Sequence, residues 1–598
     1  MSGAVANTLW ARSFVDELAR IGVRDVIIAP GSRSTPLVMA FAADARFHAR
    51  VHLDERSASF FALGVGKATG RPAAVLTTSG TAVANCFPAV VEASQSGVPL
   101  LVLTADRPHR HRGADANQAI DQVGIFGGYV RASFELAPPT LEGPALRHLR
   151  TLACRAHAAA TGANAGPVHV NFPFDKPLEP VEVPDAILSE HPLAAIGRPR
   201  GAPFVDVRTG VSTPDAAVLD PLAERMVSER GVIVAGPSES ARRLGPAVHR
   251  LATATGFPVL ADALSGARFG PSGGAHVVAA YDLFLREEDV REALAPGLVV
   301  RVGASPTSAS LLEWLLRHNG VTHVVVDEGG RWKDHGAIAT DYLLADPVAT
   351  LDRLAELVEG HGRRGGSGGA PGPNPWAQTW RRVEAAALAG LAGPRDDPGV
   401  AHEGEVMAAV LGALKGDTAL VVSSSMPVRD LDAFGHPCTE PIRVHANRGA
   451  SGIDGVVSTA FGVASRTDGP TVCVIGDIAF FHDQNGLLWS REPDTDVVFV
   501  VVDNDGGGIF HTLPIADHEP DFTRFFATPH GIDPRHAAAA HEIDYAEVAV
   551  GVVGTEVGRR LRSGGSAVLR VRTDRAANHR AHAEIVGRVA GSVREALG

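Results

Sequence analysis

Two polar strand ends in the last third of the chain have the residue types of a divalent-metal site. Gly476 and Asp477 follow an apolar run, TVCVI, and Asn504 closes the next long apolar run 27 positions after Asp477. That interval fits a strand end, a helix and the following parallel strand, so both side chains should reach the same edge of a sheet. Carboxylate, amide and main-chain carbonyl oxygens suit Mg²⁺ or Ca²⁺. The alternative is that Asp477 caps a helix and Asn504 lies in a turn.

Glu55 is the second candidate, because it should open the helix that follows a strand around residues 50–53. A carboxylate at the beginning of a helix can equally be solvated or complement the helix dipole. The glycines Gly64, Gly66 and Gly70 follow in a GxGxxxG spacing inside the same helical stretch. A dinucleotide fingerprint needs GxGxxG in a strand-to-helix turn, so we interpret these glycines as a place of close helix packing.

Composition limits the classes of partner. The net charge of −12 argues against a broad nucleic-acid-binding surface. Only four of the 55 basic residues are lysine. Arginine is therefore the default cation of this chain, and a single arginine is weak evidence for an anion site.

Cysteine usage and the N-terminal segment bear on location. The four cysteines are far apart and form no CxxC pair, which argues against a disulfide framework or a zinc ribbon. The first 20 residues do not resemble a signal peptide. No apolar run approaches the roughly 20 residues that a bilayer span needs. We predict a cytoplasmic protein without a transmembrane helix.

The elements that must position these residues are short β-branched runs that end in Gly, Pro, Ser or Asp, each followed by a helix-like stretch. Continuous rather than alternating apolar runs indicate strands buried on both faces, which is typical of parallel α/β sheets. The predicted strands lie in residues 23–30, 73–80, 100–107, 168–172, 231–237, 258–263, 298–304, 323–328, 419–425, 443–449, 471–477, 497–505 and 567–573.

Two breaks divide the chain. Residues 178–205 are rich in proline and show no period, and residues 360–375 are rich in Gly, Pro and Ser. We predict three doubly wound parallel-sheet α/β domains. Their bounds are 1–185, 200–358 and 377–598, with a linker at 359–376.

Several stretches carry a resemblance to a known family. The Gly-Asp pair followed by an Asn-containing pair, with an early glutamate, resembles the thiamine-diphosphate (ThDP) enzymes. Within that class the chain resembles the 2-succinyl-5-enolpyruvyl-6-hydroxy-3-cyclohexene-1-carboxylate (SEPHCHC) synthase family of menaquinone biosynthesis. The stretches that carry this resemblance are PGSRSTPL (30–37), TSGTAVAN (78–85), TADRP (104–108), NQAIDQ (117–122), NRGASGIDG (447–455) and GDIAFFHDQNGL (476–487).

The resemblance implies the cofactors ThDP and Mg²⁺ or Mn²⁺. It assigns the metal to Asp477, Asn504 and the carbonyl of Gly506. It makes Glu55 the catalytic partner of a pyrimidine nitrogen of ThDP, and Ile453 the apolar support that holds the cofactor bent. The remaining cofactor-binding candidates are Gly80, Thr81, Ser425 and Gly476.

The implied reaction is decarboxylation of 2-oxoglutarate and 1,4-addition of the succinyl-semialdehyde carbanion to isochorismate. Both substrates carry carboxylates, which the planar fork of arginine binds well. Among the candidates at the strand ends, we place Ser425, Arg429 and Arg448 nearer the 2-oxoglutarate carboxylate. The candidates nearer isochorismate are Arg33, Arg107 and Gln118, and Ser32 and Asn117 add hydrogen bonds.

Several alternatives remain open. The arginines at the strand ends could be surface ion pairs. The chain could be another ThDP enzyme, such as an acetolactate-synthase-like carboligase, or a non-catalytic protein that keeps the fold.

One departure from the family is visible after Ser308, where no basic residue follows the PTS-like turn. Arg301 or Arg331 could replace it. The family also implies a homodimer or homotetramer in which two chains share each active site.

Overall fold

The computed structural model describes residues 2–271, 274–364, 374–397 and 399–598. Within these residues the strands form three six-stranded sheets, in which every pairing between neighbouring strands is parallel. Helices connect most consecutive strands, as expected for parallel pairing. The predicted fold class is confirmed.

The strands begin and end as follows. They are β1 Asp25–Ile28, β2 His48–Val51, β3 Ala73–Thr77, β4 Leu100–Asp106, β5 Ala132–Glu135, β6 Pro167–Pro173, β7 Gly231–Ala235, β8 Val259–Ala261, β9 Val277–Val278, β10 Leu298–Val302, β11 Thr322–Val326, β12 Asp341–Leu343, β13 Ala419–Val422, β14 Arg443–His445, β15 Thr471–Gly476, β16 Val497–Asp503, β17 Asp544–Glu547 and β18 Ala567–Arg572.

The α-helices lie between them. They are α1 Ser2–Arg20, α2 Thr35–Ala42, α3 Glu55–Thr69, α4 Thr81–Asn85, α5 Phe87–Ser96, α6 Gly143–Thr161, α7 Asp185–Glu190, α8 Pro192–Ile196, α9 Ala216–Ser228, α10 Ala241–Thr255, α11 Tyr281–Phe284, α12 Glu288–Ala293, α13 Ala309–Arg317, α14 Pro347–Arg364, α15 Pro375–Leu391, α16 Glu403–Ala413, α17 Met426–Phe434, α18 Val456–Ala464, α19 Asp477–His482, α20 Arg535–Ala540, α21 Val553–Ser563 and α22 Arg575–Leu597.

The chain divides into two compact units. The first comprises Met1–Gly210, Asn447–Thr467 and Asp483–Thr495, and contains the sheet ordered β2-β1-β3-β4-β6-β5. Its core gathers apolar side chains of β1, β3, β4 and β6 with those of α1, α2 and α6. The second unit comprises the remaining residues and contains the sheets ordered β12-β11-β10-β7-β8-β9 and β14-β13-β15-β16-β18-β17.

Close helix packing within the first unit explains part of the glycine pattern. A β-carbon at Gly64 of α3 would lie 2.3 Å from the carbonyl oxygen of Thr459 and 3.0 Å from Cα of Gly462, both in α18. The two backbones therefore touch without an intervening side chain. This agrees with the packing interpretation of the GxGxxxG spacing, and it fixes the helix whose first residue is Glu55.

The predicted linker overlaps two helices. Helix α14 continues to Arg364 and α15 begins at Pro375, while residues 365–373 lie outside the described residues. Residues 359–364 and 375–376 are thus helical. The three domain bounds drawn from the sequence stay a prediction.

A strand overlaps each predicted run, and β2 lies close to the strand expected around residues 50–53. Strands β5, β9, β12 and β17 were not predicted. All four lie at a sheet edge, where they are short or half-exposed. Strands β5, β12 and β17 carry polar or exposed residues, and β9 is only two residues long, so none of the four shows the continuous apolar run used as the signal. Over the described part of the chain, no helix has both the length and the apolar character that crossing a bilayer requires.

Candidate active site

The candidate metal ligands lie at the carboxyl ends of two adjacent parallel strands in the second unit. Gly476, at the end of β15, pairs with Val502 of β16, as the 27-residue spacing predicts. Asp477 is the buried first residue of α19. Its carboxylate accepts hydrogen bonds from the N–H groups of Gly506 at 2.9 Å and Ile478 at 2.7 Å. Burial nevertheless raises the pKa of Asp477, so a bound cation would favour the ionised carboxylate.

Among the described residues, the amide nitrogen of Asn504 has a hydrogen-bond partner and its amide oxygen has none. Its Nδ2 donates to Oε1 of Glu403 at 2.9 Å. Its Oδ1 is buried and has no hydrogen-bond partner among the described residues. A buried amide oxygen without a partner is costly, and a metal ion would satisfy it.

Glycine allows the third candidate ligand to approach. Gly506 has φ +143°, and a β-carbon there would lie 2.1 Å from the carbonyl oxygen of Ala527. At Gly476, by contrast, no described atom outside its two chain neighbours lies within 4 Å of where a β-carbon would stand, so there is open space at this strand end. A buried carboxylate, an unsatisfied amide oxygen and this open strand end together fit a divalent cation with oxygen ligands.

Two further side chains lie beside Asp477. Ligand atoms of Asp477, Asp503 and His530 all lie within 4.8 Å of one another. Asp503 is paired with Arg570 at 2.6 Å, which offsets its charge. The N–H of Ile532 donates to Nδ1 of His530 at 3.0 Å, so the neutral ring carries its proton on Nε2, 3.2 Å from Oδ2 of Asp477.

Ser425 and Arg429 lie at the end of the neighbouring strand β13. Ser425 has a left-handed φ of +74°, unusual for a residue with a side chain, and immediately precedes α17. Arg429, one turn into that helix, is exposed and donates from Nη1 to the carbonyl oxygen of Ser425 at 2.6 Å. This hydrogen bond thus holds both the strained turn and the arginine side chain in place.

A cavity of about 960 Å³ adjoins Arg429 in the second unit. Its lining includes Ser308, Arg286, Phe510 and Arg575. Neither Arg301 nor Arg331 is among the described residues that line it, and Arg301 pairs with Asp334 at 2.7 Å. Arg286, which does line the cavity, pairs with Asp282 at 2.7 Å, and Asp282 also accepts a hydrogen bond from Oγ of Ser308 at 2.6 Å.

Glu55 lies at the start of α3 in the first unit. Asp54 caps this helix, accepting from the N–H groups of Arg56 at 2.9 Å and Ser57 at 3.4 Å. Glu55 is half-buried, and its Oε2 accepts from Nδ2 of Asn85 at 3.3 Å. The cap and the glycine contact at Gly64 hold the carboxylate at a defined position.

Gly80 and Gln118 are held together at the end of β3. Gly80 has φ +88°, and a β-carbon there would lie 2.9 Å from Cγ of Gln118. Gln118 donates from Nε2 to the carbonyl oxygen of Ser79 at 3.0 Å, and Ser79 Oγ donates back to the Gln118 carbonyl at 2.9 Å. Buried Gln122 accepts from the N–H of Gly80 at 3.3 Å. Thr81 is exposed at the start of α4.

The two arginines of this edge are held by main-chain carbonyls. Arg33 donates from Nη1 to the carbonyl of Phe174 at 2.9 Å, and Arg107 donates from Nε to the carbonyl of Asn117 at 3.0 Å. Burial and the nearby charge of Arg107 lower the pKa of Arg33. An anion between them would relieve that repulsion. Ser32 is exposed, and its carbonyl accepts from Thr35 Oγ1 at 2.7 Å.

Arg448 and Ile453 lie on the loop that leads into α18, also in the first unit, and both are half-buried. Buried Glu92 of α5 accepts from the N–H groups of Gly449 at 3.0 Å and Ala450 at 2.7 Å. These two hydrogen bonds hold the loop against α5.

The predicted residues lie in two groups, one in each unit. The first unit holds Glu55, Gly80, Thr81, Ser32, Arg33, Arg107, Asn117, Gln118, Arg448 and Ile453, and the second holds Ser425, Arg429, Gly476, Asp477, Asn504 and Gly506.

Sequence reasoning did not find Glu403, Glu92, Gln122 or His530. Each acts through a neighbour or lies in a loop, and none stands at a predicted strand end. Helix-opening glutamates such as Glu403 are common in any chain, so the sequence offered no signal for it.

Three family profiles match the chain. They are the thiamine pyrophosphate enzyme N-terminal TPP binding domain over residues 10–125, the middle domain of thiamine pyrophosphate enzymes over 203–350, and the C-terminal TPP binding domain over 431–579. Thiamine pyrophosphate is another name for ThDP. The predicted cofactor class is confirmed.

Curated relatives extend over almost the whole chain. A protein of Halobacterium salinarum is 45% identical over 99% of this chain and 100% of its own length. One of Halorubrum lacusprofundi is 42% identical over 97% of each chain, and one of Roseiflexus castenholzii is 45% identical over 91% of each. All three carry the name 2-succinyl-5-enolpyruvyl-6-hydroxy-3-cyclohexene-1-carboxylate synthase.

Proposed function

The chain belongs to the SEPHCHC synthase family of ThDP-dependent enzymes, and from this premise we propose the reaction and the roles of its residues. The enzyme decarboxylates 2-oxoglutarate and joins the remaining four-carbon unit to isochorismate by 1,4-addition. The products are SEPHCHC and CO₂, in menaquinone biosynthesis. The observation that supports this best is the buried, unsatisfied Oδ1 of Asn504 at the strand edge that carries Asp477.

Asp477, Asn504 and the carbonyl of Gly506 bind Mg²⁺ or Mn²⁺, which in turn holds the cofactor diphosphate. The open strand end at Gly476 and the turn at Ser425 leave room for phosphate oxygens. When bound, ThDP supplies the electron sink that decarboxylation of a 2-oxo acid requires.

Glu55 holds a proton on its carboxyl group and shares it with the pyrimidine nitrogen of the cofactor. Its half-buried position at the start of α3 and its hydrogen bond from Asn85 support this role, because they hold the carboxyl group in place. Gly80 and Thr81 line the pyrimidine, and Ile453 supports the bend of the cofactor.

The arginines bind substrate carboxylates. Arg33 and Arg107, with Ser32, Asn117 and Gln118, orient isochorismate. Their guanidinium groups donate mainly to carbonyl oxygens, which leaves their charge for an anionic ligand.

The other carboxylate contacts belong to 2-oxoglutarate. Ser425, Arg429 and Arg448 orient its distal carboxylate. The cavity beside Arg429 offers the space for this contact in the second unit.

The enzyme is a homodimer or homotetramer in which Glu55 of one chain serves the metal site of another. Val51 and Leu53, which precede Glu55, are 53% and 74% exposed, and apolar residues so exposed beside a candidate site favour burial by a second chain. The cytoplasmic location stays a prediction, with which the four free cysteines agree.

A coupled assay tests the reaction. Purified protein receives 2-oxoglutarate and isochorismate with and without ThDP and Mg²⁺, and the product is identified by mass. We expect SEPHCHC only with both cofactors. Pyruvate in place of 2-oxoglutarate distinguishes an acetolactate-type carboligase, and faster CO₂ release from pyruvate would contradict the proposal.

A further inference from the structure

The orientation of the Asn504 amide is decided by one neighbour. An asparagine amide has an oxygen face and an NH₂ face, and only the oxygen can bind a cation. Nδ2 of Asn504 donates to Oε1 of Glu403 at 2.9 Å, while Oδ1 is buried and has no partner among the described residues. The NH₂ face is therefore engaged and the oxygen face is available.

Glu403 is itself fixed on several sides. It is the first residue of α16 and is only 3% exposed. Oε1 also accepts from Oγ1 of Thr573 at 2.9 Å, and the N–H of Glu403 donates to Oδ1 of Asn578 at 2.9 Å. The two hydrogen bonds to Oε1 hold the carboxyl group, and the main-chain bond to Asn578 holds the start of α16.

Oε1 of Glu403 also disfavours the reversed orientation of the Asn504 amide, because it is an acceptor. Were Asn504 flipped, its oxygen would face Oε1, which already accepts from Thr573. Burial raises the pKa of Glu403, but a proton on Oε2 leaves Oε1 an acceptor. The flipped amide would also turn NH₂ toward the open side, where it repels a cation.

We propose that Glu403 is a positioning residue for the metal, because it holds the Asn504 amide with its oxygen toward the ion. This inference rests on the metal site of the proposed function and adds a residue that touches neither substrate nor ion. Partners of this kind typically change metal affinity by about 10- to 100-fold when they are removed.

Binding of Mn²⁺ in the presence of ThDP, followed by electron paramagnetic resonance, tests the proposal without turnover. Glu403→Met keeps the volume of the side chain and removes the acceptor. We expect Mn²⁺ affinity to fall about 10- to 100-fold. Glu403→Gln keeps a carbonyl oxygen for both donors, so its loss should stay below about 10-fold.

The matched control is Glu405→Met. Glu405 lies on the same helix, is exposed and pairs with Arg395 at 2.9 Å, so its removal should leave Mn²⁺ affinity unchanged. Wild-type affinity in folded Glu403→Met, or an equal loss in Glu403→Gln, would overturn the inference alone. A wild-type protein that binds no Mn²⁺ with ThDP would overturn the proposed metal site as well.

A paired substitution keeps the test decisive if Glu403→Met does not fold. Asn504→Asp sets a carboxylate against Glu403, and adding Glu403→Gln supplies an N–H donor to it. We expect the double variant to bind Mn²⁺ about 10-fold more tightly than Asn504→Asp alone. Equal affinities of the single and double variants would show that the two side chains do not act together, against the proposal.

Discussion

At the carboxyl ends of the third-sheet strands the candidate ligands are buried, whereas at those of the first sheet the candidate substrate residues range from buried Arg33 to exposed Ser32, Asn117 and Gln118. Asp477 and Asn504 are 2% and 8% exposed, and carboxyl groups or N–H groups hold them in place. Asn117 and Gln118 are exposed, and Arg107 is half-buried. The buried side chains of the third sheet are suited to an ion that stays bound. The side chains of the first sheet are suited to an anionic ligand that binds and leaves.

The kind of hydrogen-bond partner separates the two sites further. In the second unit, Asp503 pairs with Arg570, and Nδ2 of Asn504 pairs with Glu403, so these two groups have charged side-chain partners within the protein. In the first unit, Arg33 and Arg107 meet carbonyl oxygens. Carbonyls orient a guanidinium without cancelling its charge. Substitutions at the two sites should therefore change different measured quantities.

Glu55→Gln should have the largest effect. Proton transfer by a positioned side chain typically contributes about 10²- to 10⁴-fold to rate, and Gln cannot supply it. We expect ThDP to remain bound while hydrogen–deuterium exchange at its C2 slows by that range. Equal exchange in variant and wild type would mean that Glu55 is a solvated helix-opening residue.

Asp477→Ala should come next and should affect only the ion and cofactor. Loss of a buried oxygen ligand should weaken Mg²⁺-dependent ThDP binding by more than about 100-fold, above the effect of losing a residue behind a ligand. Titration of ThDP at low Mg²⁺ measures it. An unchanged titration curve would show that the carboxylate only begins α19.

Arg107→Lys should affect substrate binding at the ends of the first-sheet strands. Lysine keeps the charge but loses the two-pronged contact with a carboxylate, so KM for isochorismate should rise about 10-fold. ThDP affinity should stay as in the wild type. The control is Arg110→Lys, since Arg110 is exposed and pairs with Asp175. Loss of ThDP affinity in Arg107→Lys would erase the distinction between the two sites.

Gly64→Ala should have the smallest effect on the reaction and act on stability. The added methyl group meets the α18 backbone at 2.3 Å, and overpacking typically costs about 1–3 kcal/mol. Urea unfolding measures the change. Gly587→Ala, in the middle of α22 with no described atom within 4 Å of the new β-carbon, should instead stabilise by up to about 1 kcal/mol. Equal changes in the two variants would contradict close packing of α3 on α18.

The sequence predicted the central strands well and the edge strands poorly. Strand β16 is buried throughout and reads as VVFVVVD, whereas β5 alternates between half-buried and exposed residues and reads as ASFE. Only the first pattern differs from ordinary loop sequence. Spacing was enough to place Asp477 beside β16, because parallel strands of one sheet end at one edge.

Supporting residues were beyond sequence reasoning. Glu403 lies 101 positions before Asn504, and Glu92 lies 357 positions before Gly449. Such partners are set by tertiary packing and leave no local pattern. The roles of individual arginines were equally hidden, since arginine is common throughout this chain.

Arg575 joins two parts of the second unit that otherwise have separate tasks. From the start of α22 it donates to the carbonyl oxygens of Asn504 at 3.0 Å and Asp505 at 2.9 Å, and its side chain also lines the 960 Å³ cavity. Both bonds start from Nη1, so a carboxylate in the cavity would meet this guanidinium at its other nitrogens. The loop that carries the candidate ligands and the wall of the cavity thus share one side chain.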